Sequence, residues 1–281
     1  MGQPTLRDVQ LVELYIAKEL KRICTKHNIR YFMSGGTLLG AVRHQGFVPW
    51  DDDMDFGMPL ADYNRFLDVA KEELSPEFFL QHVTTDSGYI MPYAKIRMNG
   101  TKIQEAVAVA GNMHCGIWVD IFPFVSVEEK KAHSPLFFKT ANLLMTTYLQ
   151  KNGYDLNAVT KSRLKRIIKS ILKYLPISKS ALKRYVFGFL QDSPEESDYC
   201  MKILAVLGKQ FVFPKACFDQ FTQLQFEDET FAVPVCYDKV LTKEFGDYMV
   251  IPPESKRKNH SILNVEIDEA VLQKIKKADE C

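Results

Sequence analysis

The chain has no C-x-x-C pair, no run of 18 apolar residues free of charge, no internal repeat and almost no net charge. Each absence excludes something. Its six cysteines, Cys24, Cys115, Cys200, Cys217, Cys236 and Cys281, are scattered along 281 residues. Such spacing reads as reduced thiols of a cytosolic protein, not a disulfide framework, and gives a structural zinc little support. Without a long apolar run, no helix is expected to cross a membrane. A formal charge of +1 offers no global attraction for nucleic acid. The opening MGQPTLRDVQL lacks the apolar core of a signal peptide, and Leu6 stands where a myristoylation signal wants Ser or Thr. What remains is ordinary globular composition, 46% hydrophobic and 25% charged, in a length ample for a real core.

Within that length the chain changes character. Leu6, Val9, Val12, Ile16, Leu20 and Ile23 recur at helical spacing after a Thr5/Asp8 capping box, predicting a helix over 5–27. Strands are predicted at 29–36, 54–59, 77–83, 93–98 and 116–125, with helices at 37–44 and 60–74. The expected fold is α+β: a mixed sheet flanked by helices over 1–127, then a largely helical second half. That half divides into a basic helical subdomain, 128–207, and a mixed C-terminal segment, 208–281, packing on the core. Residues 156–191 contain no acid and nine bases, so the rest of the chain carries −8. Leu164, Ile167, Ile168, Ile171, Leu172 and Leu175 form one apolar stripe there. Such a helix either packs its stripe on the catalytic domain or lies on an anionic bilayer.

The chemistry is concentrated in PWDDDMDFG, residues 49–57. If Met54 and Phe56 face the core of a strand, Asp53 and Asp55 share its other face. Paired carboxylates repel unless a cation sits between them. Hard oxygen donors with little His or Cys nearby favour magnesium or manganese over zinc. An EF-hand does not fit, because Phe56 stands at the position that needs Gly and Asp62 at the position that needs Glu. A solvated acidic loop would not need the large apolar flanks Trp50, Met54, Phe56 and Met58. Upstream, SGGT (34–37) meets the start of a helix, where backbone N–H groups favour anions. The order strand, Gly-Gly-Thr, short helix, then Asp-x-Asp on a strand is the layout of nucleotidyltransferase folds. A third carboxylate then comes from a later strand, and Asp120 is the single acid in GIWVDIFPFV. An unpaired carboxylate buried there would be expensive.

Residues 36–66, GTLLGAVRHQGFVPWDDDMDFGMPLADYNRF, closely resemble the motif block of the LicD family of phosphotransferases. YAKIRMNGT (93–101), VDIFPF (119–124) and FGDYMVIPPESKRKNH (245–260) agree with it in order. The resemblance implies a nucleotidyltransferase-like fold. It implies transfer of a phosphocholine-type or phospho-alditol group from a CDP-linked donor to a glycan or lipid-linked oligosaccharide, with release of CMP; eukaryotic relatives of the fukutin group use CDP-ribitol. Carried over by position, Asp53, Asp55 and Asp120 are the catalytic and metal-holding carboxylates, with two magnesium (or manganese) ions between them. Asp51 and Asp52 become a supporting shell. Ser34, Gly35, Gly36 and Thr37 line the donor phosphates, and Arg43, His44, Lys95 and Arg97 pair with phosphate or with leaving CMP. Lys256, Arg257, Lys258 and His260 form a late phosphate clamp or a plain basic tail. A choline head group would want aromatics, for which Trp50, Tyr93, Trp118 and Tyr248 are available. An alditol would want hydrogen-bonding groups. The acceptor class implies a cytoplasmic enzyme, with 156–191 against the inner face of the plasma membrane. A D-x-D glycosyltransferase, an NMP-transferring nucleotidyltransferase and a non-enzymatic metal-binding protein are the alternatives.

Overall fold

The computed structural model describes residues 4–105, 113–154, 156, 160, 162–190, 197–257 and 262–279. The chain opens with helix α1 (Leu6–Lys26), capped reciprocally by Thr5 and Asp8. Its apolar stripe, Val9, Val12, Ile16, Leu20 and Ile23, is buried. Next come β1 (Phe32–Met33), α2 (Gly35–His44), β2 (Asp55–Pro59), α3 (Leu60–Glu73), β3 (Phe78–Gln81), β4 (Ala94–Met98), β5 (Thr101–Glu105) and β6 (Trp118–Ser126). Helices α4 (Glu129–Ala132), α5 (Pro135–Lys151), α6 (Arg163–Leu172) and α7 (Lys179–Gly188) follow. They lead to β7 (Tyr199–Lys202), β8 (Val212–Pro214), β9 (Phe221–Phe226), β10 (Glu229–Pro234), α8 (Tyr237–Phe245), β11 (Ile262–Ile267) and α9 (Glu269–Asp279).

Seven strands form one mixed sheet in the order β1-β2-β6-β4-β3, with β7 pairing the far end of β6 and β8 pairing β7. Only β2 and β6 run parallel; the other pairs of this sheet are antiparallel. β6 is buried along nearly its whole length, as expected for a near-continuous apolar strand covered on both faces. α1 and α3 pack against it. The α+β architecture is the expected one. The first strand is shorter than its apolar run suggested, because Gly35 turns to φ +57° and opens α2 two residues early.

The second half is less helical than its sequence suggested. Strand β7 lies inside the stretch expected to be helical and extends the central sheet. The hairpin β9–β10 turns at Glu227, φ +56°, and packs on β1 and α2. β11 pairs with β5, and α9 returns to α1 through a Lys276–Asp8 ion pair of 2.9 Å. The cysteine expectation needs a correction. Cys217 and Cys236 form a disulfide, with Cα atoms 5.5 Å apart. Their 19-residue separation hides the pairing in the sequence; the hairpin between them returns the chain to its starting point. Cys24, Cys115 and Cys200 are free thiols. Among the described residues no helix is long and apolar enough to cross a membrane.

Gly57 sits in the middle of β2, where Phe32 and Phe124 close over the backbone. A Cβ there would lie 2.4 Å from Phe32 and 2.6 Å from Phe124. Gly57→Ala is therefore expected to destabilise the chain by about 1–3 kcal/mol through overpacking, read as a lower midpoint in chemical denaturation with an unchanged slope.

Candidate active site

The strand register brings the carboxylates together. Asp55, the first residue of β2, pairs with Asp120 on parallel β6, and Asp120 pairs on its other side with Lys95 of β4. Side-chain oxygens of Asp53, Asp55 and Asp120 lie within 4.8 Å of one another. Those of Asp51, Asp52 and Asp53 do the same, so Asp53 belongs to both groups.

The glycine turn is built against these acids. A Cβ on Gly35 would lie 2.7 Å from Asp55 Oδ2, and one on Gly36 only 2.4 Å from Asp51 Oδ2. The start of α2 thus faces carboxylates at close range, and its positive end favours their charge. Thr37 Oγ1 accepts the Asp55 N–H at 2.7 Å, and the Ser34 N–H donates to the Asp55 carbonyl at 3.0 Å. Ser34 and Thr37 are buried, and their contacts hold β2 in place. Gly36 alone of the four turn residues lines the adjoining cleft.

Two buried lysines answer the acids. Lys95 Nζ lies 2.7 Å from Asp120 Oδ1 and 4.2 Å above the Trp118 ring, while Trp118 Nε1 donates to Asp120 Oδ2 at 3.0 Å. Lys202 Nζ lies 3.3 Å from Asp55 Oδ2 and 4.2 Å above Phe122. Each ammonium therefore has an aromatic face on one side and a carboxylate on the other. Arg97 shares a face of β4 with Lys95 but stands further back. It is buried, stacks at 5.1 Å on Trp118, and gives its N–H groups to Gln81 and the Gly116 carbonyl. It props the tryptophan that props Asp120. Lys202 was not legible as a site residue, because it sits on a strand hidden in an apparently helical stretch. Glu244 of α8 was missed for the same want of a local signal. Burial pushes its carboxyl above the usual range, with Lys202 opposing and Asp55 adding.

A cleft of about 690 Å³ opens beside the acids, walled by Gly36, Arg43, Trp50, Asp51, Asp53, Asp55, Tyr248 and Arg257, with Phe245, Val250 and Pro252 as its apolar side. Arg43 Nη1 donates to the Tyr248 carbonyl at 2.6 Å, and Arg43 Nε donates to His44 Nε2 at 2.9 Å. Burial, and then the Arg43 charge, hold His44 below its usual pKa, consistent with its role as an acceptor. Arg257 stacks 4.3 Å from the Trp50 ring. Of the four candidate aromatics, Trp50 and Tyr248 reach the cleft, whereas Trp118 carries cations and Tyr93 packs on Phe122. Of the late basic run, Arg257 lines the cleft; Lys258 and His260 lie outside the described residues.

A family model described as LicD/FKTN/FKRP, nucleotidyltransferase domain, matches residues 28–148. The lipopolysaccharide cholinephosphotransferase LicD of Haemophilus influenzae is 32% identical over 268 residues, which cover 93% of this chain and 98% of that protein. The chain belongs to the LicD family. Human ribitol 5-phosphate transferase FKRP is 28% identical over 90 residues, 32% of this chain and 16% of that protein. Like these LicD relatives, the chain is a phosphotransferase.

The donor set fits a divalent cation. Side-chain oxygens of Asp53, Asp55 and Asp120 lie within 4.8 Å of one another, and Lys95, 2.7 Å from Asp120 Oδ1, and Lys202, 3.3 Å from Asp55 Oδ2, offset only part of that charge. The neighbouring donors are all carboxylate oxygens. Removing one cation of a buried pair costs roughly 3–5 kcal/mol. Lys202→Met is therefore expected to lower the melting temperature in chelator, and added magnesium is expected to restore more stability to the variant than to the parent, as followed by thermal denaturation with and without the ion.

Proposed function

We propose that this LicD enzyme transfers a phosphocholine-type or phospho-alditol group from a CDP-activated donor to a hydroxyl of a cell-surface glycan precursor, releasing CMP. One observation carries the reading: Asp53, Asp55 and Asp120 converge within 4.8 Å at the edge of a cleft large enough for a nucleotide-linked donor. The named relatives support the group transferred, one being a cholinephosphotransferase acting on lipopolysaccharide and the other a ribitol 5-phosphate transferase.

In this reading Asp53, Asp55 and Asp120 hold magnesium or manganese. The bound ion supplies charge neutralisation at the donor diphosphate and at the attacking oxygen. The remaining work belongs to side chains. The N–H of Gly36 at the start of α2, together with Arg43 and Arg257 on the cleft wall, faces the diphosphate and steadies the leaving CMP. The acceptor oxygen attacks the phosphorus that bears the head group and passes its proton to Asp120. A new P–O bond forms as the bond to the CMP oxygen breaks in line. Lys95 and Lys202 keep the carboxylates in register between turnovers.

The acceptor also bears on where the enzyme works. On α6 and the turn after it, Ile167, Ile171 and Tyr174 are all strongly exposed, spaced four and three residues apart. Arg163, Arg166, Lys173 and Lys179 are exposed around them. A stripe of this kind, flanked by bases, suits the surface of an anionic bilayer and a lipid-linked acceptor. Vesicles containing anionic lipid should carry the chain down in co-sedimentation, neutral vesicles should not, and Ile171→Asp should abolish the difference. Equal recovery with both vesicle types would rule the membrane contact out.

Asp53→Asn and Asp55→Asn are each expected to abolish turnover while the circular dichroism spectrum stays close to that of the parent, with Asp55→Asn melting lower because it leaves Lys202 buried without its carboxylate. A screen of CDP-choline, CDP-ribitol and CDP-glycerol tests the donor. CMP with a modified acceptor supports head-group transfer. Pyrophosphate release would point to NMP transfer instead, and retained activity in either aspartate variant would overturn the site.

A further inference from the structure

The far end of the sheet holds a second cavity, which the proposed reaction does not use. Val125 and Val127 at the end of β6 and Met201 of β7 form its floor, and all three are buried. They belong to a small hydrophobic core of their own, separate from the main core that holds Met54 and Phe56. Phe137 of α5 and Tyr185 and Phe189 of α7 form its walls. Their rings meet edge to face, Phe137 and Phe189 at 5.9 Å and Tyr185 and Phe189 at 5.4 Å. Helix α7 packs on α5, and about 450 Å³ is left open between it and the end of the sheet. Small-molecule sites occupy roughly 300–1,000 Å³. Ser126, at this end of β6, lies six residues beyond Asp120, roughly 20 Å along an extended strand. The cavity is therefore no part of the catalytic cleft.

Its lining divides in two. Below are aliphatic and aromatic side chains. The rim carries charge. Lys131 and Glu128 pair there at 3.0 Å and cancel. Arg184 is exposed on the same rim, and among the described residues it has no carboxylate partner. The stretch 156–191 around it contains no acid. Gly188 leaves the cavity open, since a Cβ there would meet no atom within 4 Å. Leu136, next to Phe137 in the first turn of α5, is 73% exposed. An apolar floor under one uncommitted guanidinium matches a ligand with the complementary division, a hydrocarbon chain bearing an anion. We propose that this cavity takes one hydrocarbon chain of an anionic membrane lipid, with the lipid phosphate on Arg184. The choice of a membrane lipid rests on the bilayer contact read above for α6, which packs on the same helix α5. Occupied, the cavity holds the enzyme to lipid by insertion of a chain, at the end of the sheet away from the chemistry.

Calorimetric titration of the full chain with decyl phosphate, kept below its micelle concentration, tests the cavity without turnover. The parent is expected to bind one equivalent, and decanol about ten- to a hundredfold more weakly. Gly188→Leu fills the space and should weaken decyl phosphate at least about tenfold. It should melt no lower than the parent, because Leu is the better helix former and meets open space. Arg184→Gln should bring decyl phosphate down to the affinity of decanol and leave decanol unchanged. Ile171→Asp should bind decyl phosphate as the parent does, which separates the cavity from the exposed stripe of α6. Parent-like affinity in both Gly188→Leu and Arg184→Gln would overturn the site. On phosphatidylglycerol vesicles Gly188→Leu should be recovered severalfold less than the parent. Equal recovery, with the decyl phosphate equivalent lost, would overturn a membrane lipid as the occupant. Failure of the phosphotransfer reading would show separately, as no CMP release by the parent from any CDP-linked donor.

Discussion

Like charges held in one place are the constraint around which this molecule is arranged. Four aspartates within five residues, and a fifth brought alongside by the strand register, repel one another in a partly buried setting. The fold meets that repulsion with fixed positive charge of several kinds. The first turn of α2 presents its N–H end, with glycines at the two points where a side chain would collide with a carboxylate. Lys95 and Lys202 approach from neighbouring strands, each backed by an aromatic ring that gives an ammonium a favourable surface in place of water. Behind them Arg97 and Gln81 brace Trp118, and Trp118 braces Asp120. The polar network thus runs from the cleft floor to the far side of the sheet.

Features that depend on local sequence were readable without the structure. The period of α1, its capping box and the Gly-Gly-Thr start of α2 are all encoded in neighbouring residues, and the structure has each of these elements; Asp53 comes beside Asp55 from the loop before β2 and not along the strand. Asp120 was legible because it is the lone acid in an apolar strand. Lys202 and Glu244 were not, since each lies in an ordinary-looking stretch and gains meaning only from the strand or helix packed beside it. The Cys217–Cys236 pair failed for the same reason: its proximity is made by a hairpin, not by spacing. Arg97 had the right period but the wrong depth, because alternation fixes a face and says nothing about how far a side chain reaches toward a cleft.

The second half of the chain serves the first in two ways. β7 and β8 extend the sheet and deliver Lys202 to the carboxylates, while α8 and the turn after it build the cleft wall that carries Tyr248. Helix α5 packs on both α6 and α7 and leaves the exposed apolar and basic residues of α6 on the outside. The carboxylate cluster and the exposed basic helix thus lie on different stretches of the chain.

The chain contains two tryptophans. One forms a wall of the cleft beneath a guanidinium, and the other lies under Lys95 with its indole N–H on Asp120. Indole emission is quenched and shifted by nearby charge, so nearly all of the protein's intrinsic fluorescence originates within the electrostatic field of the site. The enzyme carries its own optical reporter there: any change of charge around these two side chains registers in the colour and intensity of their emission, with no label attached.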